Sequence, residues 1–145
     1  MNINITFNAN ELINAAEKEP FIAIQEIHNA VEKSLYKIEN TAKREAPAKS
    51  GDLRKHIGSK FEILKGSVES KASYSIYVHE GTKPHDIFPV NKKVLADKRK
   101  KIIFGKRVRH PGTKPNQYML RAVEKEINTI TRYFDEAVNN ILIKI

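Results

Sequence analysis

The chain has 145 residues, carries a formal net charge of +9 and contains no cysteine. Its length fits one domain of ordinary size, and the lack of cysteine excludes disulfides, thiolate zinc sites and cysteine nucleophiles. Hydrophobic residues make up 40% and charged residues 30%, which argues against a disordered chain and against a membrane protein, and no apolar run approaches the ~20 residues that span a bilayer.

The positive charge is concentrated in one segment. Residues 83–121 carry 12 basic and 2 acidic side chains, whereas residues 1–82 carry 11 of each and residues 122–145 carry 3 basic and 4 acidic. A localised field of this kind attracts phosphate backbones or an acidic protein surface. A solvated, lysine-rich loop is the alternative.

Helices are predicted in the first third of the chain. Asn8 followed by Glu11 is typical of a helix N-terminus, and this short helix should run to about Lys18. A long amphipathic helix should begin at Pro20 and end before Pro47. Its apolar positions recur every three or four residues and form one stripe. These positions are Phe21, Ile24, Ile27, Val31, Leu35, Ile38 and Ala42.

The middle of the chain has the composition of short strands. Strands are predicted at residues 60–64, 68–72, 87–90 and 102–108. Lys65, Gly66 and Ser67 read as the turn of a hairpin between the first two. Residues 74–78 fit either a strand or a short helix. Residues 91–101 contain few apolar anchors and are expected to form a mobile loop.

The last segment predicts a second long amphipathic helix, with Asn116 as its cap. Its expected buried stripe consists of Leu120, Val123, Ile127, Ile130, Phe134, Val138, Ile141 and Ile145. The predicted fold class is α+β, with two long amphipathic helices packed on one face of a small, mainly antiparallel sheet and with a long basic loop. We expect a single domain, 1–145, with helices in 8–46, strands and the basic loop in 57–110, and the C-terminal helix in 116–145. No internal repeat is recognised.

The residues of the chain give little support to an enzyme. His79, Glu80, His85 and Asp86 lie within eight residues of one another, with His110 downstream, a set that a divalent metal could use. Their spacing matches no known ligand pattern, which favours surface or turn histidines. Neither a nucleophile motif nor a phosphate-cradling loop occurs. We therefore expect no catalytic residue, no metal and no cofactor.

Binding to nucleic acid is the alternative that the charge favours. The basic segment lacks the interleaved aromatic residues of a stacking platform, and it contains no zinc-finger or RNP motif. The alternative function is therefore a small cytoplasmic protein that binds nucleic acid nonspecifically through its basic segment.

Three ordered motifs resemble a known family. They are APAKSGDLRKHI at 46–57, YSIYVHEGT at 74–82 and HPGTKPNQYMLRAVEKE at 110–126. In this order they resemble small tail-component or neck proteins of long-tailed bacteriophages and prophages. Ser50 replaces the usual threonine, the acidic position falls at His79-Glu80, and residues 117–120 stand where Pro-Phe-Leu is common.

The resemblance implies a virion structural protein of the phage neck, made in the host cytoplasm, with a tail-completion or head–tail connector role. It would form a homo-oligomeric ring between head-closure proteins and the tail terminator, without contact to a membrane. Contacts between subunits or rings are expected at Leu53, Arg54, Tyr77, Glu80, Thr82 and His110. Contacts to channel DNA or to an acidic partner are expected at Lys92, Lys93, Lys98, Arg99, Lys100, Lys101, Lys106, Arg107 and Arg109. An Arg54–Glu80 pair or two solvated side chains are equally compatible with the sequence.

Overall fold

Helices and short antiparallel strands both occur along the chain, in an α+β arrangement. The computed structural model describes residues 2–6, 19–48 and 51–144. The chain divides into two compact units: Met1–Ser75 with Gln117–Ile145, called the larger unit, and Ile76–Asn116, called the smaller unit. The expectation of a single domain stays a prediction. The short helix expected from Asn8 to Lys18, Ser50 of the first motif and the expected buried position Ile145 lie outside the described residues.

The larger unit contains a three-stranded antiparallel sheet. Its strands are β1 (Asn2–Thr6), β2 (Ile57–Phe61) and β3 (Lys65–Ser70), in the order β1-β3-β2. Val68 on the central strand lies opposite Ile3 on one side and Ser59 on the other, and it is fully buried. Strand β1 was not predicted, although Asn-Ile-Asn-Ile-Thr alternates polar and apolar residues as a half-buried strand does.

The β2–β3 hairpin was predicted, but its turn was placed wrongly. Glu62 donates its backbone N–H to the carbonyl of Lys65 at 2.8 Å, so the turn lies at 62–64 and Gly66 belongs to β3. A Cβ on Gly66 would overlap the Cδ1 of Leu35 and lie 2.7 Å from the carbonyl oxygen of Lys60. Glycine is needed here because strand and helix approach closely, and not for a turn.

The long helix α1 (Pro20–Glu45) begins and ends where the sequence predicts. Its side chains at Ile27, Val31, Leu35, Ile38 and Ala42 are buried as expected, because one apolar stripe faces both the sheet strands β2 and β3 and a second helix. Phe21, expected in the same stripe, is exposed, so this part of the predicted stripe is wrong.

The second long helix, α4 (Tyr118–Lys144), packs against α1 but with a rotated face. The expected buried residues Leu120 and Ile127 are exposed, so this part of the predicted stripe is wrong. The buried positions are Tyr118, Met119, Ala122, Glu126, Ile130, Ala137 and Ile141. Alanines contribute little to an apolar pattern yet let two helices approach closely, which is why the pattern pointed to the neighbouring face. Asn116 lies two residues before the helix begins.

Polar side chains fix the antiparallel register of α1 and α4. Glu26 accepts hydrogen bonds from Asn140 and Lys144, at 3.0 and 2.7 Å. Near the other end of α1, Glu45 accepts them from Arg121, at 3.1 Å, and from Lys125. These bonds lower the pKa of both carboxyl groups. No helix within the described ranges is long and apolar enough to cross a bilayer.

Two short helices complete the chain. The four-residue α2 (Asp52–Lys55) joins α1 to the sheet, and Leu53 within it is buried. The helix α3 (Ser75–Glu80) settles the ambiguity at 74–78 in favour of a helix. Four short strands follow in the smaller unit: β4 (His85–Ile87), β5 (Leu95–Asp97), β6 (Ile102–Gly105) and β7 (Val108–His110).

Candidate functional site

The smaller unit is organised as one nested hairpin, defined here as residues 82–113. Thr82 and Thr113 form an antiparallel bridge at its base. Next comes the β4–β7 pair, in which Asp86 lies opposite Arg109, and then the β5–β6 pair, in which Asp97 lies opposite Ile102. Each pair lies inside the previous one along the chain, so the segment predicted to be a basic loop returns on itself. The expected strands at 87–90 and 102–108 shift and break, with Gly105 at φ 102° in the break.

A repeated six-residue pattern builds the base of the nested hairpin. His79–Pro84 and His110–Pro115 both read His-x-Gly-Thr-Lys-Pro. This repeat was not predicted, although the two Gly-Thr pairs in the sequence indicate it. Thr82 and Thr113 exchange backbone hydrogen bonds of 3.0 Å each, and their hydroxyl groups lie 3.1 Å apart.

Both glycines of the repeat have left-handed backbone, at φ 75° for Gly81 and 86° for Gly112. A Cβ on Gly81 would lie 2.5 Å from the carbonyl oxygen of Thr113, and one on Gly112 would overlap the carbonyl oxygen of Thr82. Each turn therefore excludes side chains at its glycine so that the two threonine backbones can meet. This explains chemically why the Gly-Thr pair recurs.

The histidines of the smaller unit have structural partners. The rings of His85 and His110 stack with centroids 5.1 Å apart. Gly112 donates its N–H to Nδ1 of His110 at 3.0 Å, so this nitrogen carries no proton, and Nδ1 of His85 lies 2.9 Å from the carbonyl oxygen of Lys83. Within the described residues, no group of three or more histidine, aspartate or glutamate side chains is placed to hold a metal ion.

One acidic residue anchors the β4–β7 pair. Asp86 accepts a 2.6 Å hydrogen bond from Nη2 of Arg107. This bond raises the pKa of the Arg107 guanidinium above its ordinary value. Arg107, expected at a DNA or acidic-partner contact, thus holds an ion pair within the hairpin, while Arg109 and Lys106 are exposed.

The tip of the nested hairpin presents four consecutive cations. Asp97 Oδ1 accepts the backbone N–H groups of Arg99 and Lys100, at 2.9 and 3.3 Å, and Lys101 completes the turn at φ 55°. The Asp97 carboxylate therefore shapes the turn. All four tip side chains are exposed, and no ion pair within the described part of the chain involves them; they are Lys98, Arg99, Lys100 and Lys101. Lys92 and Lys93 lie exposed ahead of β5.

The strand behind this tip is apolar and exposed. Ile102, Ile103 and Phe104 follow the four cations directly, and each is mostly or half in solvent. Strand β6 pairs only with β5 among the described residues. Basic and exposed apolar side chains thus share one hairpin.

The remaining expected contact residues divide between the units. In the larger unit, Arg54 donates to the carbonyl oxygen of Ala46 from Nε and Nη2, at 3.1 and 3.0 Å, and so fastens α2 to the end of α1. Leu53 contributes to the buried core. In the smaller unit, Tyr77 and Glu80 are exposed, whereas Thr82 and His110 belong to the base of the nested hairpin. The contacts expected at these residues stay predictions.

No protein-family model, no curated protein and no solved structure matched this chain.

Proposed function

We propose that this chain is a virion structural protein of the phage neck. It forms a homo-oligomeric ring that joins the DNA-filled head to the tail, between head-closure proteins and the tail terminator. Its work is assembly, and no bond of a substrate is made or broken. The pair of long helices, of which α1 packs against the sheet, supplies a rigid body, and the basic segment supplies a contact surface.

One observation carries this proposal above all: the exposed hairpin in which four cations precede Ile102, Ile103 and Phe104. Exposed apolar side chains that lie together on a strand mark a surface to be covered by a partner. The three motifs of the resemblance support the same view through structural roles. Arg54 ties the first motif together internally, and Thr82 with Thr113 joins the second motif to the third. Such contacts hold the fold together, as expected for a structural protein.

Virions provide the direct test. Particles of the phage or prophage that encodes this chain should contain it at about a dozen copies or fewer, as expected for one closed ring. Deleting the gene should leave DNA-filled heads and separate tails, counted by electron microscopy, and expression of the chain from a plasmid should restore joined particles. Normal infectious particles from the deletion strain would refute the proposal.

A second candidate function is nonspecific binding of nucleic acid, which the unpaired tip cations favour. Neutralising phosphates releases counterions, so such binding would weaken steeply with salt and ignore sequence. Fluorescence anisotropy with two duplexes of unrelated sequence measures both properties. Equal affinity for both duplexes, which weakens with salt and is lost in the K98Q/R99Q/K100Q/K101Q variant, would favour this function. It would apply if the chain is also missing from virions.

A further inference from the structure

The β5–β6 hairpin exposes apolar side chains on both of its faces. Ile102, Ile103 and Phe104 are 44, 72 and 51% exposed. Successive side chains of a strand point to opposite faces, so Ile102 and Phe104 occupy one face and Ile103 the other. A two-stranded hairpin without further cover is marginally stable in water. Contact with an apolar surface would therefore stabilise this hairpin.

Helix α4 carries such a surface, the outer stripe, defined by Leu120, Ile127 and Leu142. These side chains are 43, 51 and 64% exposed, in contrast to Ile130 and Ile141 on the side that packs against α1. The outer stripe has helical periodicity, which predicts burial, yet no described residue of the chain buries it. A helix face of this kind is completed by a partner.

The charges beside the outer stripe are negative. At about 100° per residue, the exposed Glu124 and Asp135 lie within about 60° of the centre of the stripe. The nearest basic residues of α4 lie further round, and two of them, Arg121 and Lys125, are held by Glu45. The outer stripe is therefore an apolar surface rimmed by carboxylates, and the hairpin is an apolar strand led by cations.

We infer that the β5–β6 hairpin of one copy docks on the outer stripe of α4 in a second copy. This inference rests on the proposed ring. The two surfaces are different, so the contact is heterologous, and repeating it forms a ring where the rotation between copies closes. A contact between two hairpins would instead bring eight cations together, which like-charge repulsion disfavours. The same repulsion disfavours pairing of two acidic stripes.

Cysteine cross-linking tests the contact, because the chain has no cysteine of its own. The single variants Ile103→Cys and Ile127→Cys are mixed and oxidised with diamide, and products are separated by mass. The dimer linking Cys at 103 to Cys at 127 is the expected main product. Ile63→Cys, exposed in the β2–β3 turn, is the matched control and should link poorly to either. Predominant 103–103 or 127–127 dimers, or no dimer above the control level, would overturn the inference.

Charge reversal supplies an independent readout. Reversing the tip with K98E/R99E/K100E, or the stripe with E124K/D135K, should each weaken self-association about tenfold, as expected for two or three solvent-exposed charge pairs. Mixing the two reversed variants should restore association, measured by mass photometry and sedimentation. Lys55→Glu, an exposed cation elsewhere, should leave association unchanged, and circular dichroism confirms that all variants fold.

A wild-type chain that stays monomeric at its highest soluble concentration, or reversed variants that associate as tightly as the wild type, would contradict the contact. These outcomes are separate from those of the proposed function. A chain found in virions at the head–tail junction without 103–127 cross-links keeps the neck assignment and loses this contact. A chain with the cross-links but absent from virions loses the neck assignment alone.

Discussion

Thr41 Oγ1 donates a 2.6 Å hydrogen bond to Glu126 Oε1 in the buried interface between α1 and α4. Arg44 donates to the Thr41 hydroxyl at 2.7 Å, and both Lys37 and Arg44 place a cationic nitrogen 3.8 Å from the Glu126 carboxylate. A buried carboxylate is tolerated only where it is bonded in this way. The cluster therefore selects one register of the helix pair.

Removing this carboxylate should destabilise the larger unit. Glu126→Ala leaves the buried Thr41 hydroxyl without its acceptor and is expected to lower the free energy of unfolding by about 1–3 kcal/mol. Glu126→Gln keeps an acceptor and should cost less. Urea unfolding followed by circular dichroism measures both. Glu136→Ala, an exposed residue of the same helix, should stay within about 0.5 kcal/mol of the wild type. Equal losses for the alanine and glutamine variants would contradict the bonding role.

Gly66 should not accept a side chain. Gly66→Ala places a Cβ against Leu35 and the Lys60 carbonyl, so we expect a loss of about 1–3 kcal/mol in the free energy of unfolding. Gly58→Ala in the neighbouring strand is the matched control, because a Cβ there meets nothing within 4 Å. Thermal denaturation should separate the two variants clearly. A Gly66→Ala chain as stable as Gly58→Ala would show that the helix and strand can separate without cost.

The stability of the Gly-Thr base of the nested hairpin should depend both on the left-handed backbone of Gly81 and on its close approach to the Thr113 backbone. Gly51 has φ 71° with open space around it, whereas Gly81 has φ 75° and contacts the Thr113 backbone. Alanine at position 51 should cost about 1–2 kcal/mol from the left-handed conformation alone. Alanine at position 81 should cost more and should speed amide exchange at Thr82 and Thr113. Unchanged exchange at those two amides would count against the contact.

Lowering the pH should reduce the folding stability that Glu26 and Glu45 contribute between α1 and α4. Hydrogen bonds from Lys144 and Asn140 lower the pKa of Glu26, and those from Lys125 and Arg121 lower the pKa of Glu45. A lowered folded-state pKa contributes stability above the ordinary glutamate value of about 4.3, and this contribution is lost as the pH falls through the folded value. Thermal unfolding between neutral pH and pH 3 should show the loss, and the E26Q/E45Q variant should show a shallower one. Parallel profiles would exclude these carboxylates as its cause.

Asp97 should control the order of the basic tip. Asp97→Ala removes the acceptor of the Arg99 and Lys100 amides, and trypsin should then cleave at residues 98–101 several times faster than in the wild type. Asp97→Asn retains a side-chain oxygen and should resemble the wild type. Because trypsin needs an unfolded stretch, identical cleavage rates for the wild type and the alanine variant would mean that the carboxylate does not order the turn.

The sequence predicted the elements that have a sustained apolar periodicity along the chain. Helix α1 was located because its apolar period is strong and prolines bound it. The buried face of α4 was misjudged because Ala122, Glu126 and Ala137 line it, and none of these raises an apolar signal. The β2–β3 turn was misplaced because Gly66 resembles a turn glycine, while its reason lies in Leu35, 31 residues earlier.

The candidate site was predicted by charge alone. The clustering of cations between 83 and 121 located it, but the β4–β7 pair depends on three-residue strands whose partners lie more than 20 residues away. Three-residue strands carry almost no periodicity. The repeated His-x-Gly-Thr-Lys-Pro pattern was the one signal in the sequence that could have indicated the closed base.

Pairing of Thr82 with Thr113 also affects how the chain folds. The larger unit is assembled from two stretches separated by 41 residues, Ile76–Asn116. Once the two threonines are bridged, only 11 of those residues remain in the connecting loop. Loop-closure entropy scales with the logarithm of loop length, so early formation of the nested hairpin lowers the cost of bringing α4 to α1 by roughly 1 kcal/mol. The nested hairpin thereby shortens, during folding, the flexible connection between the two stretches that make up the larger unit.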